Sequence, residues 1–535
     1  MSDMKNNICI PDFRPTEGCA QAFVVKGTVE EMGCQYGKAY ADKLRTITAI
    51  VKASVFGAPF TTSMYGFAPT EKEQAETDMR AIMFLAEKYC PQYMEWIRGV
   101  QSGCAIKGFE IELEDLMLVT TYPAERWGKP GGSYPDGFTE GESGSNAAMN
   151  RPYCNGLAAS KEATKDGAVL VGVSGSPSDE ISDRVMLIGY NEDGTMFSTF
   201  GPINNPFGQS GINSRGFAFA MTSNTSESDC KWGLPAEIVC FHFAAVCGSR
   251  SEAQEWLEKI PRSFATGNFI FADTDGDICV CETNSAHFNI RKPGDAGEEG
   301  HYVVSTNHFA AKETFDFNVP EMEMWKQDSI CRLATISKYL AQGVEKGGID
   351  IYWIHHLLRQ HDWFDPENNE WHINEPASGK GSDVLEYTHS AFFNPVEMTA
   401  YYMQGTGGGI GVPAGSMGEF VQIPLLQDIG AACELMMMDA FFGCYHVARG
   451  EYLRVIGESK TLRQDYASQK ALVELLDESY RNYEEGLYHW SYAYALQEEG
   501  KEEDYLTAIS KAITSLGRTQ VYAKKLISQL ALYEE

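Results

Sequence analysis

The sequence predicts an α+β protein in which helices pack on a largely antiparallel β core. Apolar residues recur at helical spacing from Gly27 to about Tyr122, as they do in amphipathic helices. Short apolar runs separated by Asp-Gly turns begin at Cys154, and this pattern predicts β-hairpins. Helical spacing returns from Ile423 to the end of the chain, so the strands are expected between two helical regions.

The composition excludes several classes of function. The 535 residues include 74 acidic and 43 basic side chains, giving a net charge of -31, and no basic cluster suits nucleic acid. The most apolar late stretch, Leu425–Ala448, contains three acidic residues, too many for a membrane-spanning helix. The first residues lack an apolar stretch long enough for a signal peptide. A cytoplasmic protein whose 14 cysteines are free thiols is therefore expected.

Residues 1–126 are predicted to form a helical leader region. Thr28 and Glu31 have the spacing of a capping box, in which each side chain binds a free amide of the first turn. Gly33 and Gly37 fall on one face of the same helix and would let another helix approach closely. Pro91 is placed to start a new helix.

Residues 127–153 are predicted to form an exposed, flexible linker because glycine, acidic and small residues dominate them. A strand-rich core is predicted at 154–422 and a helical region at 423–535. Six further strands are predicted at Val185–Tyr190, Met196–Phe200, Gly216–Met221, Asn268–Ala272, Ile278–Glu282 and Tyr302–Ser305. Helices are predicted at Leu234–Cys247, Ser251–Lys259 and Asp328–Leu340.

Cys154 is the residue whose position most strongly suggests chemistry, because it lies where the linker ends and a strand begins. If the bond between Tyr153 and Cys154 is cut, Cys154 gains an α-amine with a reference pKa of about 7.7 to 8.0. One residue then provides both nucleophile and base. The alternative is a buried strand cysteine without a catalytic role.

Several motifs carry a resemblance to a known family. They are Gly-Thr-x-x-Glu-Met-Gly-x-x-x-Gly at 27–37, Cys154 with its Ala-Thr-Lys-Asp-Gly hairpin, Gly-Ile-Asn-Ser-Arg-Gly-Phe-Ala from 211, Gly-Asn-Phe-Ile-Phe-Ala-Asp from 267, Ser-Thr-Asn-His-Phe from 305, and Ser329-x-x-Arg332. In this order they resemble the acyl-CoA:6-aminopenicillanate acyltransferases and related autoproteolytic acyltransferases and hydrolases of the Ntn superfamily. The resemblance implies an αββα sandwich that is cleaved into a short leader chain and a long catalytic chain. It also implies that Cys154 attacks a small-molecule amide or an acyl-CoA-like thioester and passes the acyl group to water or an amine.

Three asparagines are candidate site residues under this resemblance, because amides can donate to a developing oxyanion without carrying charge. Asn307 is the first choice for orienting the cysteine amine, although a turn asparagine after a strand has the same pattern. Asn268 follows Gly267 at the start of a strand, and a capping residue is the alternative. Asn224 lies about where relatives place an oxyanion asparagine, and Ser223 or Thr222 could align there instead.

Arg332 resembles the arginine that completes the site in relatives, where a fixed charge would lower the thiol pKa or hold a substrate carboxylate. A solvated arginine on the outside of a helix is the alternative. His308 could suggest a Cys/His pair, but a structural histidine fits the Ntn mechanism better.

The chain departs from the family pattern at two points. Relatives place an arginine or asparagine and then an aspartate 18 or 19 residues after the cysteine, where this chain has Gly172 and Val173. Asp179 is the nearest acid that follows and is the candidate for that role. Tyr153 replaces the small or acidic residue that usually precedes the nucleophile.

Other functions remain as alternatives. The departures would suit a catalytically silent Ntn-fold binding protein, and the sequence does not separate a hydrolase from an acyltransferase. A metal site on His355, His356 and His361 is disfavoured because adjacent histidines on a helix point to different sides. Cys279 and Cys281 lack the further ligands of a zinc site. No phosphate loop or dinucleotide motif is present, so no cofactor is expected, and formation of a homo-oligomer is left open.

Overall fold

The computed structural model describes residues 20–55, 72–121, 154–175, 184–224, 233–262, 267–318, 323–360, 362–373, 389–404 and 418–533. The predicted linker at 127–153, together with Tyr153, lies outside these residues. Asp179 and His361 also lie outside them.

Two large sheets form the centre of the molecule. The eight-stranded sheet has the order β1-β4-β5-β6-β7-β8-β9-β10, and β1 runs parallel to β4 while the other neighbours are antiparallel. Its strands are β1 (Gln21–Gly27), β4 (Arg184–Asn191), β5 (Met196–Pro202), β6 (Ser210–Asn213), β7 (Phe217–Thr222), β8 (Gly267–Asp273), β9 (Ile278–Thr283) and β10 (Phe288–Arg291).

The six-stranded sheet is antiparallel and has the order β11-β2-β3-β14-β15-β16. Its strands are β2 (Asn155–Ala159), β3 (Leu170–Gly175), β11 (Tyr302–Ser305), β14 (His389–Asn394), β15 (Thr399–Gln404) and β16 (Val421–Pro424). A separate hairpin joins β12 (Trp363–Asp365) to β13 (Glu370–His372). The β2–β3 hairpin predicted from the Asp-Gly turn is confirmed.

The two sheets pack face to face through a shared apolar layer that includes Val171, Val173, Ile270 and Val280. The sheets approach closely at Gly156 on β2. A Cβ added there would lie 2.3 Å from Ile270 Cδ1, so any larger residue would displace the Ile270 side chain of β8. This strand carries Cys154 at its start, and the glycine therefore helps to set where the cysteine lies.

Helices cover the outer face of each sheet. The eight-stranded sheet is covered by α1 (Val29–Val55), α2 (Lys72–Tyr89), α3 (Pro91–Ile106), α4 (Leu113–Thr121), α5 (Ala236–Ala245) and α6 (Arg250–Lys259). The six-stranded sheet is covered by α7 (Glu323–Glu345) and α8 (Ile351–Leu357). The result is the αββα sandwich that was predicted, with layers in the order helix, sheet, sheet, helix.

The helical leader begins as predicted. The Thr28 N–H donates to Glu31 Oε2 at 2.9 Å and the Glu31 N–H donates to Thr28 Oγ1 at 3.2 Å, which is a capping box. Gly33 packs on the backbone of α3, since a Cβ there would lie 2.3 Å from the Trp96 carbonyl oxygen. The leader thus docks its first helix on α3 through backbone contact.

One strand of the leader was not predicted. β1 precedes the capping box and pairs with β4 in the eight-stranded sheet, so the leader region contributes a sheet strand as well as helices. Its outer edge is covered by the last helix: the Ala22 N–H donates to Thr514 Oγ1 at 3.0 Å and the Val24 N–H to Ser510 Oγ at 2.9 Å. The short apolar run at 22–25 gave no periodic signal, and tertiary pairing determines its structure.

The predicted C-terminal helical region is confirmed. It contains α9 (Ile429–Met438), a π-helical segment (Asp439–Tyr445), α10 (His446–Glu458), α11 (Lys460–Gln464), α12 (Tyr466–Glu498) and α13 (Glu502–Leu530). The long helices α12 and α13 form an antiparallel pair, in which Ser479 Oγ donates to the Thr519 carbonyl oxygen at 3.1 Å. Among the described residues, every helix is too short or too polar to cross a membrane.

Candidate active site

Cys154 lies immediately before β2, an inner strand flanked by β11 and β3, and its side chain is almost fully buried. Because β11 runs antiparallel to β2 with Ser305 opposite Gly156, the residues that follow β11 arrive beside Cys154. The Cys154 N–H donates to Asn307 Oδ1 at 3.2 Å. The nitrogen that a cleaved chain would carry as its α-amine is therefore held by Asn307.

Arg332 connects the cysteine to the helical layer. From α7, its Nη1 donates to the Cys154 carbonyl oxygen at 3.0 Å and to Asn155 Oδ1 at 2.8 Å. Its Nη2 donates to Asn307 Oδ1 at 2.9 Å, and its Nε donates to Asp328 Oδ2 at 2.9 Å. The side chain is 1% exposed, so the alternative of a solvated arginine is wrong.

The orientation of the Asn307 amide follows from its neighbours. Its Oδ1 accepts from both the Cys154 N–H and Arg332, while its Nδ2 donates to the Ser223 carbonyl oxygen at 2.7 Å. If the amide were flipped, its NH₂ group would face two other donors, the Cys154 N–H and the Arg332 guanidinium. Its own backbone N–H donates to Ser329 Oγ at 2.7 Å, so the loop is anchored to α7 as well.

Asn268 and Asn224 support this loop from behind. Asn268 Nδ2 donates to the His308 carbonyl oxygen at 3.0 Å and to that of Thr306 at 3.4 Å. Asn224 Nδ2 donates to Asn268 Oδ1 at 2.5 Å. Within the described residues, the buried Oδ1 of Asn224 has no hydrogen-bond partner. Cys154, Asn307 and Arg332 thus come together directly, and the other two asparagines reach them through the loop backbone.

His308 belongs to the same loop and is buried. Its Nδ1 lies 2.7 Å from Ser329 Oγ and 3.2 Å from Thr306 Oγ1. These contacts tie the loop to α7 and fit the structural histidine that the sequence favours.

Gln209 is a site residue that the sequence did not suggest. It ends the connection between β5 and β6, and its Nε2 lies 3.7 Å from Cys154 Sγ, at the outer limit for a bond to sulfur. It is an uncharged donor placed beside the Cys154 thiol. No motif marks it, since its approach to Cys154 depends on how the two sheets pack.

The region next to Gln209 contains a buried histidine. A Cβ added to Gly175, at the end of β3, would lie 2.2 Å from His389 Nε2 and 3.1 Å from Gln209 Oε1. Burial holds the pKa of His389 well below its usual range, and Arg184 lowers it further. His389 is therefore an uncharged neighbour of the site.

The family departure at Gly172 and Val173 has a clear position in the structure. Gly172 pairs with Leu157 and Val173 with Gly156, while Ser174 is opposite Asn155. The Ser174 hydroxyl donates to the Asn155 carbonyl oxygen at 3.4 Å. In the family position for an aspartate, this chain therefore places the apolar side chain of Val173, which packs between the sheets.

The alternative metal sites gain no support. Among the described residues, no cluster of three or more histidine, cysteine or acidic side chains could hold a metal ion. His355 Nε2 lies 3.0 Å from the Gly418 carbonyl oxygen, and its pKa is lowered chiefly by burial. Cys279 and Cys281 share a face of β9, where Gln254 donates to Cys279 Sγ at 3.0 Å.

Two facing sheets between helical layers, with a cysteine at the start of an inner strand, form the αββα architecture that the predicted Ntn resemblance implies. Residues 177–362 match the family model of acyl-coenzyme A:6-aminopenicillanic acid acyl-transferase. This match confirms the predicted resemblance for that segment and supports an enzyme. The matched segment contains Asn307 and Arg332, while Cys154 precedes it.

The solved structures that are similar to this chain include the following two. A mutant of conjugated bile acid hydrolase from Clostridium perfringens is 17% identical, with a TM-score of 0.30 over 47% of this chain and 89% of that chain. Penicillin V acylase from Agrobacterium tumefaciens is 13% identical, with a TM-score of 0.25 over 47% of this chain and 75% of that chain. Comparison with curated protein sequences gave no match.

Proposed function

We propose that the protein is an amidohydrolase or acyltransferase that uses Cys154, freed as a new N-terminus by self-cleavage, as its nucleophile. The observation that carries the proposal is the hydrogen bonding around Cys154. Its nitrogen donates to Asn307, and its carbonyl oxygen accepts from Arg332. These two bonds fix the backbone on both sides of the Cys154 Cα, as positioning of an N-terminal nucleophile requires.

Self-cleavage would begin with attack of Cys154 Sγ on the carbonyl carbon of Tyr153. The peptide C–N bond breaks, the nitrogen takes up a proton as the α-amine, and the leader is left as a thioester on sulfur. Water then hydrolyses that thioester and releases the carboxylate of Tyr153. The products are a leader chain ending at Tyr153 and a chain beginning at Cys154.

In turnover, the α-amine of Cys154 would accept the thiol proton, because its reference pKa of about 7.7 to 8.0 lies near neutrality. Asn307 Oδ1 would accept a hydrogen bond from that amine and direct its lone pair toward sulfur. The thiolate attacks the acyl carbon, the protonated amine passes its proton to the leaving group, and an acyl-thioester forms. Water or an amine then removes the acyl group.

Two further side chains would assist. Arg332 would hold Cys154 and Asn307 in register, because it donates to the Cys154 carbonyl oxygen and to Asn307 Oδ1. Gln209 Nε2, already beside Sγ, would donate to the oxyanion that forms on the substrate. The supported substrate class is a small-molecule amide or an acyl thioester, and the acceptor decides whether hydrolysis or transfer results.

The first test is the intact mass and N-terminal sequence of purified wild-type protein beside the Cys154→Ala variant. We expect two wild-type chains, one beginning at Cys154, and a single uncut chain in the variant. Cys34→Ala is the matched control, because Cys34 is a half-exposed thiol on α1, and it should be cleaved like wild type. Single chains throughout, without acylation of Cys154 by a panel of amides and thioesters, would leave a silent Ntn-fold binding protein.

A further inference from the structure

The helix α12 has an exposed apolar residue at every seventh position. These residues are Tyr466, Val473, Tyr480, Leu487 and Tyr494, and they are between 36% and 79% exposed. A strict seven-residue repeat keeps one stripe of a helix turned toward a single partner helix. The repeat extends over nearly the whole helix.

The face of α12 that lies about 100° around the helix from this stripe already has a partner. Its buried residues include Leu472, Ser479, Gly486 and Ala493, which also recur every seven residues. A Cβ at Gly486 would lie 2.8 Å from Leu516 of α13. The α13 contact therefore uses a different stripe, and the exposed stripe is not part of the internal packing between these helices.

A second exposed row lies on the neighbouring helix. Leu435 and Met438 on α9 and Phe442 in the π-helical segment are 47% to 63% exposed. Aromatic contacts hold this segment beside α12: Phe441 stacks on Tyr483 at 4.6 Å, and Tyr445 lies 5.1 Å from Tyr480. We define the C-terminal apolar face as Leu435, Met438, Phe442, Tyr466, Val473, Tyr480, Leu487 and Tyr494.

We propose that the C-terminal apolar face is the contact surface for a second copy of this chain, with two α12 helices pairing antiparallel about a two-fold axis at Tyr480. The stripe is symmetric about that residue. An antiparallel copy would place Tyr466 against Tyr494 and Val473 against Leu487. Such self-complementarity is what an isologous dimer requires.

The extent of the face agrees with a dimer. Taking roughly 200 Å² for a fully exposed large side chain, the exposed fractions amount to about 840 Å² of apolar surface per protomer. Standard interfaces bury roughly 800 Å² per partner, and apolar patches larger than a few hundred Å² mark interaction sites. This surface lies outside the segment matched by the family model and does not depend on the proposed catalysis.

Charge disfavours a membrane as the occupant. Surfaces that bind anionic lipid are rich in lysine and arginine, whereas this protein has a net charge of -31. Glu474, Asp477 and Glu484 lie on α12 beside the stripe and are solvent-facing or partly so. A second protein copy, which buries the apolar rows and leaves these carboxylates in water, fits better.

The test is the mass of the full chain in solution by light scattering coupled to size exclusion, over protein concentrations from micromolar upward. We expect a wild-type dimer, and monomers for Tyr480→Glu and Leu487→Glu. Tyr492→Glu is the matched control, because Tyr492 is also an exposed tyrosine of α12 but lies about 140° around the helix from Leu487. That variant should remain a dimer.

A cysteine variant keeps the test decisive if the glutamate variants fold poorly. Tyr480→Cys should form a disulfide-linked dimer on mild oxidation, because a residue on the two-fold axis meets its own copy, whereas Tyr492→Cys should not. A monomeric wild type at all concentrations would overturn the proposal. So would a dimer unaffected by both Tyr480→Glu and Leu487→Glu, or one that forms only on lipid vesicles.

Discussion

Two buried arginines hold opposite ends of the loop that follows β11, but their charges are compensated differently. Arg291 lies between Glu282 and Glu298, and all three side chains are at most 1% exposed. Among its described contacts, Arg332 pairs with one carboxylate, that of Asp328, and gives its other hydrogen bonds to uncharged oxygen atoms. Arg291 thus has two carboxylate partners for one positive charge. The guanidinium of Arg332 has one carboxylate partner among the described residues and also donates to the Cys154 carbonyl oxygen.

The hydrogen bonds of Glu282 show what the Arg291 cluster does. Its carboxylate accepts from the backbone N–H groups of Ala310 and Ala311 and from the Thr314 hydroxyl. It therefore fixes the loop a few residues beyond Asn307. The comparison teaches that similar buried ionic clusters serve different purposes: one supports the backbone of the loop and the other contacts the proposed nucleophile.

The largest effect on stability is expected from Arg291→Met, which leaves Glu282 and Glu298 buried without their cation. Removing one partner of a buried pair costs about 3–5 kcal/mol. Urea denaturation should show a lower midpoint. Any protein that remains folded should keep the proposed acylation of Cys154. An unchanged midpoint would mean that the glutamates do not depend on Arg291.

A matched pair of lysine substitutions sharpens the comparison. Arg291→Lys should retain most activity per folded molecule, because a charge remains between the two glutamates. Arg332→Lys should lose activity, since a lysine cannot reproduce the fork that reaches Cys154, Asn155 and Asn307 together. Equal losses of activity in both variants would remove the distinction between the two clusters.

The second prediction concerns Gln209, whose amide lies beside Cys154 Sγ. Gln209→Leu should lower kcat about 10²- to 10³-fold, the usual effect of losing one oxyanion donor, with little change in the urea midpoint. Gln254→Leu is the control, because Gln254 likewise donates to a cysteine sulfur, that of Cys279, away from the site. A Gln209→Leu enzyme with wild-type kcat would exclude a role in the transition state.

Local patterns explain which parts of this arrangement the sequence predicts. The six further strands are confirmed within two residues at each end, because alternation and Asp-Gly turns are local signals. Asn307 was a candidate because it follows β11 in a motif. β1 and Gln209 were missed for the same reason: the pairing of β1 with β4 and the approach of Gln209 to Cys154 both join residues distant in sequence.

The third prediction tests a buried base that is kept uncharged, unlike the two arginines. His242 stacks on Trp256 at 3.7 Å, and burial lowers its pKa to about 3. The folded state therefore resists protonation that the unfolded chain accepts below about pH 6.5. The stabilisation is complete above that pH and is lost as the pH falls toward 3, by up to about 1.4 kcal/mol per unit.

Replacement of the ring isolates this effect. His242→Phe keeps a ring to stack on Trp256 but cannot titrate, so its unfolding free energy should fall less steeply than that of wild type between pH 6.5 and 4. His372→Phe is the control, since His372 stacks on Trp363 at 3.9 Å but is only half-buried. Parallel curves for wild type and His242→Phe would contradict the assignment of acid sensitivity to His242.

The smallest effect on stability is expected for the two hydrogen bonds between uncharged groups that hold β1. Ser510→Ala and Thr514→Val each remove a hydroxyl that accepts from a β1 amide, at a cost of about 1 kcal/mol per bond. Hydrogen exchange of residues 20–27 should accelerate in both variants. Thr507→Val is the control, because its hydroxyl donates only within α13, to the Glu503 carbonyl oxygen. If exchange is unchanged, pairing with β4 and apolar packing are enough to retain β1, and the leader would stay bound after the proposed cleavage without these hydrogen bonds from the last helix.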